Sequence, residues 1–243
     1  MTIGMIVLVA VAIVIYLGAA QRVLDRLRLT DKAALLFVGA ILIGGFLPDI
    51  PLSDNVSINI GGGIIPIALA GYLLAKAGTA REKIRAVLAT LVTAAVVYGT
   101  MKIMPLEPTY NFFLDPMYIF AIIAGIVGYL AGRSRRSAFI AGSMGLLLTD
   151  IFARIEVAIR GGSGRMTIGG AGVFDSIVIG GILALLLAEL IGETRERIQG
   201  GPSQDRPEKL RAQLSDEETA EELNSEGFRD HEKENREGNR NEE

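Results

Sequence analysis

Ala138–Ala153, AFIAGSMGLLLTDIFA, and Gly169–Leu190, GGAGVFDSIVIGGILALLLAEL, are two apolar runs that each carry one aspartate, Asp150 late in the first and Asp175 early in the second. Read as helices joined by the segment between them, they form an antiparallel hairpin. Both carboxylates then lie near the same depth, toward the connecting segment. A carboxylate among so many apolar residues carries a heavy desolvation cost unless a partner or water compensates, so an acid inside a membrane span is a functional-site candidate by default.

The rest of the chain repeats the pattern. Half of the 243 residues are hydrophobic, and they come in blocks: Ile3–Ala20, Ala33–Leu47, Ile58–Ala77, Ala86–Met104, Met117–Gly132, Ser137–Ala153 and Gly169–Ile191. Runs approaching 20 apolar residues match the hydrocarbon thickness of a bilayer, which points to an all-α, polytopic transmembrane bundle of about seven spans with the lipid bilayer as its solvent. No basic residue precedes the first run, so it reads as a span and not a signal peptide. Sorted by alternating sides, Arg22, Arg26, Arg28, Lys32, Lys76, Arg81, Lys83, Arg85, Arg133, Arg135 and Arg136 share one side, and only Lys102, Arg154, Arg160 and Arg165 fall on the other. A local Lys/Arg excess marks the cytoplasmic side, which puts the N-terminus outside and the C-terminus inside a cell membrane.

Charge divides the chain into two domains. Residues 1–192 hold 15 basic and 11 acidic side chains, whereas 193–243 hold 9 basic and 16 acidic ones with few large apolar residues. A tail of that composition buries too little surface to offset its ordering entropy and is expected to be a disordered acidic cytoplasmic segment, open to a cytoplasmic partner. A short helical face from Pro207 to Leu223 is the one exception in it. No basic patch exists for nucleic acid. Without cysteine, and with His231 in the tail as the single histidine, the sequence offers no disulfide, thiol chemistry or histidine metal site, and no cofactor is expected.

Two further stretches carry possible chemistry. Asn59-Ile60-Gly61-Gly62-Gly63, followed by Pro66, is expected to break the helical ladder of the third span, since proline lacks a donor and clashes with the preceding turn. Such breaks serve either ligand contact through Asn59, Gly61, Gly62, Gly63 and Pro66 or close packing of neighbouring backbones. The segment Arg154–Gly170 is a glycine-rich loop or a partly re-entrant one, and GGSGR within it is a weak anion nest. Loops at Leu47–Asn55 and Met104–Pro116 bring Asp49, Asp54, Glu107 and Asp115 to the outer rim, where solvated acids are the ordinary reading.

For the aspartates two readings stand. An i,i+4 ion pair with Arg154 neutralises Asp150, while Asp175 has no cation on its own helix face. If the two carboxylates meet, they share a proton and suit either water activation or carriage of a proton or cation. Small-residue spacings such as Gly180 to Ala184 serve packing within the bundle or a homo-oligomer.

NIGGGIIPIALAGYLL at Asn59–Leu74 and GGAGVFDSIVIGGILALLLA at Gly169–Ala188 resemble an uncharacterised family of bacterial and archaeal multi-pass membrane proteins, over Met1 to about Gly192. That resemblance implies the fold and no activity. More faintly, aspartates on adjacent spans are similar to the intramembrane aspartyl proteases of the presenilin and prepilin-peptidase type. Here Val173 and Phe174 separate Gly172 from Asp175, and Thr149 stands where a tyrosine precedes the other aspartate. The expectation is passage or sensing of a small solute or ion, with Asp150 and Asp175 as its acids. The alternatives are an intramembrane aspartyl protease using the same pair as catalytic residues, and a scaffold whose tail recruits partners.

Overall fold

The structure, a computed structural model, describes residues 3–104, 115–162 and 164–198, without the side chains of 171–173 and 195–198. Met1–Gly192 is one compact unit, the one described below. Of the acidic tail expected to be disordered from residue 193, residues 193–198 instead continue α8 as helix, and the remainder, with its expected helix at 207–223, lies outside the described residues, as does most of the loop expected between Met104 and Pro116.

Helices dominate: α1 (Ile3–Tyr16), α2 (Gln21–Leu27), α3 (Asp31–Gly44), α4 (Ile65–Ala75), α5 (Ala80–Ile103), α6 (Pro116–Gly132), α7 (Arg135–Ile159) and α8 (Ala171–Ile198). Short polar side chains start four of the eight. Thr30 accepts the amide of Ala33, Thr79 that of Glu82, Asp115 that of Met117 and Ser134 that of Ser137. Each such bond satisfies a first-turn amide that has no carbonyl partner within its helix.

Each of the seven apolar runs contains a helix, but they differ in reach. α5, α7 and the Phe174–Thr194 part of α8 are long and apolar enough to cross a membrane. The first run stops four residues before Ala20: α1 ends at Tyr16, Gly18 takes φ +74°, and α2 departs at 99°. Taken as one broken span, that pair is the fourth. Ile60–Ala75 and α6 are apolar but shorter. Along α5 the large side chains Ile84, Val87, Leu88, Leu91, Val92 and Val96 are all exposed, an apolar face that water would not tolerate and lipid tails would cover.

α7 is the central helix. It packs on α5 and α6 and also meets α4 and α2. Its interior face, from Ala138 through Gly142, Gly145 and Leu146 to Asp150, is buried. Glycines set the spacing: a Cβ on Gly142 would sit 2.6 Å from the Gly180 carbonyl of α8, and one on Gly128 of α6 would sit 2.7 Å from the Gly142 amide nitrogen. Small residues thus let three backbones meet. Gly180 and Ala184 are used for this contact inside the bundle.

The all-helical expectation needs one addition. Ile50–Ser53 (β1), Val56–Ile58 (β2) and Met166–Ile168 (β3) form a small sheet in the order β1-β2-β3, antiparallel between β1 and β2 and parallel between β2 and β3. Asp54 and Asn55 make a hairpin turn between the first two strands. Pro51, which has no amide hydrogen, is tolerated because β1 is an edge strand with an irregularity between Pro51 and Ser53. β3 lies within the glycine-rich segment read from sequence as a loop or a partly re-entrant one, whose first residues, to Ile159, instead continue α7. Three-residue strands whose partner is over a hundred residues away leave no local periodicity to detect.

Contacts sort the helix ends into two sets. At one end Gly4 of α1 lies against Asp175 of α8, Gly44 of α3 against Gly61, and the sheet against the turn before α8. At the other, Arg28 donates to the Lys76 carbonyl at 3.2 Å, Arg136 of α7 reaches Glu82 of α5, and Arg135 pairs with Glu189 of α8.

Candidate functional site

The first set of ends gathers most of the residues singled out from sequence. The Gly61–Pro66 break lies at the start of its helix and not in the middle of a span. Ile60–Ile64 is a π-helical turn running straight into α4, with Pro66 in the first turn, where a missing amide hydrogen costs nothing. The Asn59 carbonyl accepts from the amides of both Gly63 (2.9 Å) and Ile64 (3.2 Å), and its side-chain oxygen accepts from the Gly62 amide at 2.8 Å. Asn59 Nδ2 in turn donates to Asp49 Oδ1 at 2.8 Å.

All three glycines are buried, and at Gly61 and Gly62 neighbouring backbone leaves no room for a side chain. A Cβ on Gly61 would strike the backbone of α3 at Ile41 and Gly45, and one on Gly62 would strike the carbonyl of Gly169. Gly169 has φ +68°, and its own Cβ would be 2.5 Å from the Gly62 carbonyl carbon. The close packing expected of this motif is present at Gly61 and Gly62.

Gly169 also holds Asp150. The Asp150 carboxylate accepts the Gly169 amide at 3.3 Å, so α7 is tied to the turn that opens α8. Thr167, two residues earlier, donates to the other oxygen of Asp49 at 3.1 Å and shares a 2.7 Å hydrogen bond with Ser57. A connected set of contacts results: Asp49 binds Asn59 and Thr167, Asn59 accepts the Gly62 amide, Gly62 packs on Gly169, and the Gly169 amide reaches Asp150.

The i,i+4 pair of Asp150 with Arg154 is not formed. Arg154 Nη1 is buried without a hydrogen-bond partner. The acid that does pair in this region is Glu156, which meets Lys102, accepts from the Tyr98 hydroxyl and lies 2.6 Å from Arg160.

Asp175 is 7% exposed and sits where α8 touches α1. A Cβ on Gly4 would be 2.5 Å from Asp175 Oδ1 and 2.9 Å from its Cα, and Oδ1 has no hydrogen-bond partner. The neighbouring Ser176 hydroxyl donates to the Met117 carbonyl of α6 at 3.0 Å. Asp150 and Asp175 therefore have separate surroundings, one on the Gly169 amide and the other against Gly4, and no hydrogen bond joins them.

A cavity of about 280 Å³ opens beside this assembly, lined by Met5, Gly45, Pro48, Asp49, Asn59 and Phe174 among others. Its polar wall is the Asp49–Asn59 pair, and its apolar wall is Met5 and Phe174, the residues next to Gly4 and Asp175. Asp49 is read from sequence only as one of four acids on the outer rim, and Thr167, Gly4, Met5 and Phe174 are not identifiable as site residues there. Asn59 before three glycines is a helix-capping signal, but nothing local says which donor or acceptor its amide will find. Among the described residues no cluster of acidic or histidine side chains is arranged to hold a metal ion.

The model of a family described as protein of unknown function, DUF1614, matches residues 6–187. The chain belongs to the DUF1614 family. Both quoted resemblance motifs fall almost wholly within that range, and so does the site: Asp49, Asn59, Gly169, Asp150 and Asp175 are all part of the DUF1614 region. No curated protein and no solved structure matches the chain.

Proposed function

We propose that this DUF1614 member is a seven-pass protein of the cell membrane, N-terminus outside and C-terminus in the cytoplasm, that binds a small hydrophilic solute or cation in the cavity beside Asp49 and Asn59, for passage or sensing. One observation carries the reading. A cavity of about 280 Å³ has a hydrogen-bonded carboxylate–amide pair on one wall and Met5 and Phe174 on the other, and next to these in the chain Gly4 and Asp175 meet, where Asp175 Oδ1 is buried without a hydrogen-bond partner. An isolated buried carboxylate is costly to maintain and is retained in spans chiefly where an ion or solute uses it. Asp49, anchored by Asn59 and Thr167, is the outer contact, and Asp175 is the inner acid. Asp150 holds the turn before α8 and positions the assembly.

The orientation is supported by charge. Arg28, Lys76, Arg135 and Arg136 occupy the end of the bundle opposite to the cavity, which the positive-inside rule assigns to the cytoplasm. The cavity then opens outward.

The test is ion- and solute-dependent stabilisation of the purified protein. A ligand present at a hundred times its dissociation constant stabilises by about 2.7 kcal/mol, a measurable rise in unfolding temperature. Monovalent cations, divalent cations and small amines are titrated against wild type, Asp49→Asn and Asp175→Asn. Stabilisation by one class that both variants lose supports the site. Equal response of all three proteins removes it.

A further inference from the structure

One helical turn below the outer cavity lies a second one, of about 40 Å³, in the middle of the bundle. The two share their walls. Moving from Met5 to Leu8 on α1, from Gly45 to Ile41 at the end of α3 and from Phe174 to Val178 on α8 passes from the lining of the first to the lining of the second. Steps of three or four residues keep to one helix face and advance about 5 Å. Met5, Leu8, Ile41, Phe174 and Val178 also pack together as one buried apolar cluster. The two spaces are therefore divided by a plug about one layer of side chains thick. The lower space reaches Pro66 of α4 and Ser143 of α7, which is the only hydroxyl on its wall among the described residues.

The plug coincides with the strained electrostatic contact. Phe174 directly precedes Asp175, and Met5 directly follows Gly4, against which Asp175 Oδ1 rests without a donor. The contact of α1 with α8 thus holds the apolar plug and a carboxylate oxygen without a donor at the same place. An apolar constriction keeps a narrow passage dry, whereas a buried carboxylate favours water.

We propose that Met5 and Phe174 form a hydrophobic gate between the outer cavity and the interior one, opened by movement of α1 away from α8 and biased toward opening by hydration of Asp175. The proposal rests on the outer cavity being the solute site and adds the route that leads inward from it.

The chain has no cysteine, so Ser143→Cys puts its single thiol on the interior cavity. In proteoliposomes, aqueous silver ion is added without any other ligand, and the unreacted thiol is counted by maleimide labelling after denaturation. Slow reaction is expected in the otherwise wild-type chain, at least tenfold faster reaction with Phe174→Ala or with Met5→Ala, and severalfold slower reaction with Asp175→Asn. The second gate variant keeps the test available if the first does not fold. Gly71→Cys, at a position on α4 where an added Cβ meets no atom within 4 Å, is the control for general loosening. Unchanged Ser143→Cys rates in the gate variants overturn the gate, and so does equal acceleration at Gly71→Cys. An unchanged rate with Asp175→Asn overturns the role given to the carboxylate. Because no solute is present, a gate that labels as expected beside a protein that no ion stabilises would separate the two readings.

Discussion

At the scale of single residues, the most demanding contact is Gly62 against Gly169. Each blocks a Cβ on the other, and Gly169 also has a positive φ that alanine adopts only with strain. Gly62→Ala and Gly169→Ala are each expected to destabilise the protein by about 2 kcal/mol or more, as overpacking does in a tight interior. Gly71→Ala, where a Cβ meets open space, is expected to be neutral or to stabilise by up to about 1 kcal/mol through helix propensity. Thermal unfolding of the three purified variants checks the order. Asp150 separates structure from chemistry. Asp150→Asn keeps an oxygen for the Gly169 amide and should retain stability, while Asp150→Ala leaves that amide unpaired and should lose about 1 to 3 kcal/mol. Loss of ligand response in a fully stable Asp150→Asn protein would return Asp150 to the chemical part of the site. The pairing of Asp150 with a glycine amide nineteen residues away was not legible in the sequence, where Arg154 at i+4 is the nearest obvious partner. Local spacing favours a partner on the same helix, whereas the Gly169 turn, which follows β3 where it pairs with β2, reaches Asp150 only through the tertiary fold.

At the scale of elements, α7 joins the bundle at both ends. Its first turn carries Arg136, buried, with Nη1 3.0 Å from both oxygens of Glu82 on α5, and Arg135, paired with Glu189 on α8. Glu82 stands three residues after Thr79, the spacing of a capping box, yet its carboxylate is spent on Arg136. Glu82→Gln leaves a buried guanidinium without its counter-charge and is expected to cost about 3 kcal/mol. The double change Glu82→Gln with Arg136→Met should recover much of that loss, because a buried pair is worth less than either stranded partner costs. Chemical or thermal unfolding of the single and double variants decides it. The Gly61–Gly63 element shows what sequence can and cannot say. Glycine beside proline marks an irregular backbone wherever it occurs. Whether that irregularity faces a ligand or a neighbouring backbone depends on α3 and Gly169, which arrive from distant parts of the chain.

At the scale of the whole molecule, orientation follows from which ends collect the basic residues. Single cysteines introduced into the otherwise thiol-free chain report it directly. Asp54→Cys, in the turn between β1 and β2, should react with an impermeant maleimide added outside intact cells, and Gly78→Cys, beside Arg28 at the other end, should react only after the membrane is opened. The reverse pattern would turn the cavity toward the cytoplasm and invert the direction of the proposed passage.

The sequence by itself determined the helical membrane class, the positions of the apolar runs, the segregation of basic residues and the two anomalous aspartates. These are properties of composition and short-range periodicity, and the bilayer's demand for long apolar helices makes them readable one segment at a time. Only the tertiary structure decided that Gly61 and Gly62 pack on neighbouring backbones, that Asn59 and Thr167 both bind Asp49, that Asp150 meets the Gly169 amide while Asp175 lies against Gly4, and that Met5 and Phe174 line one cavity a helical turn away from another. Each of those facts is a meeting of residues far apart in the chain, fixed by the close approach that Gly4, Gly62, Gly142 and Gly169 allow between backbones.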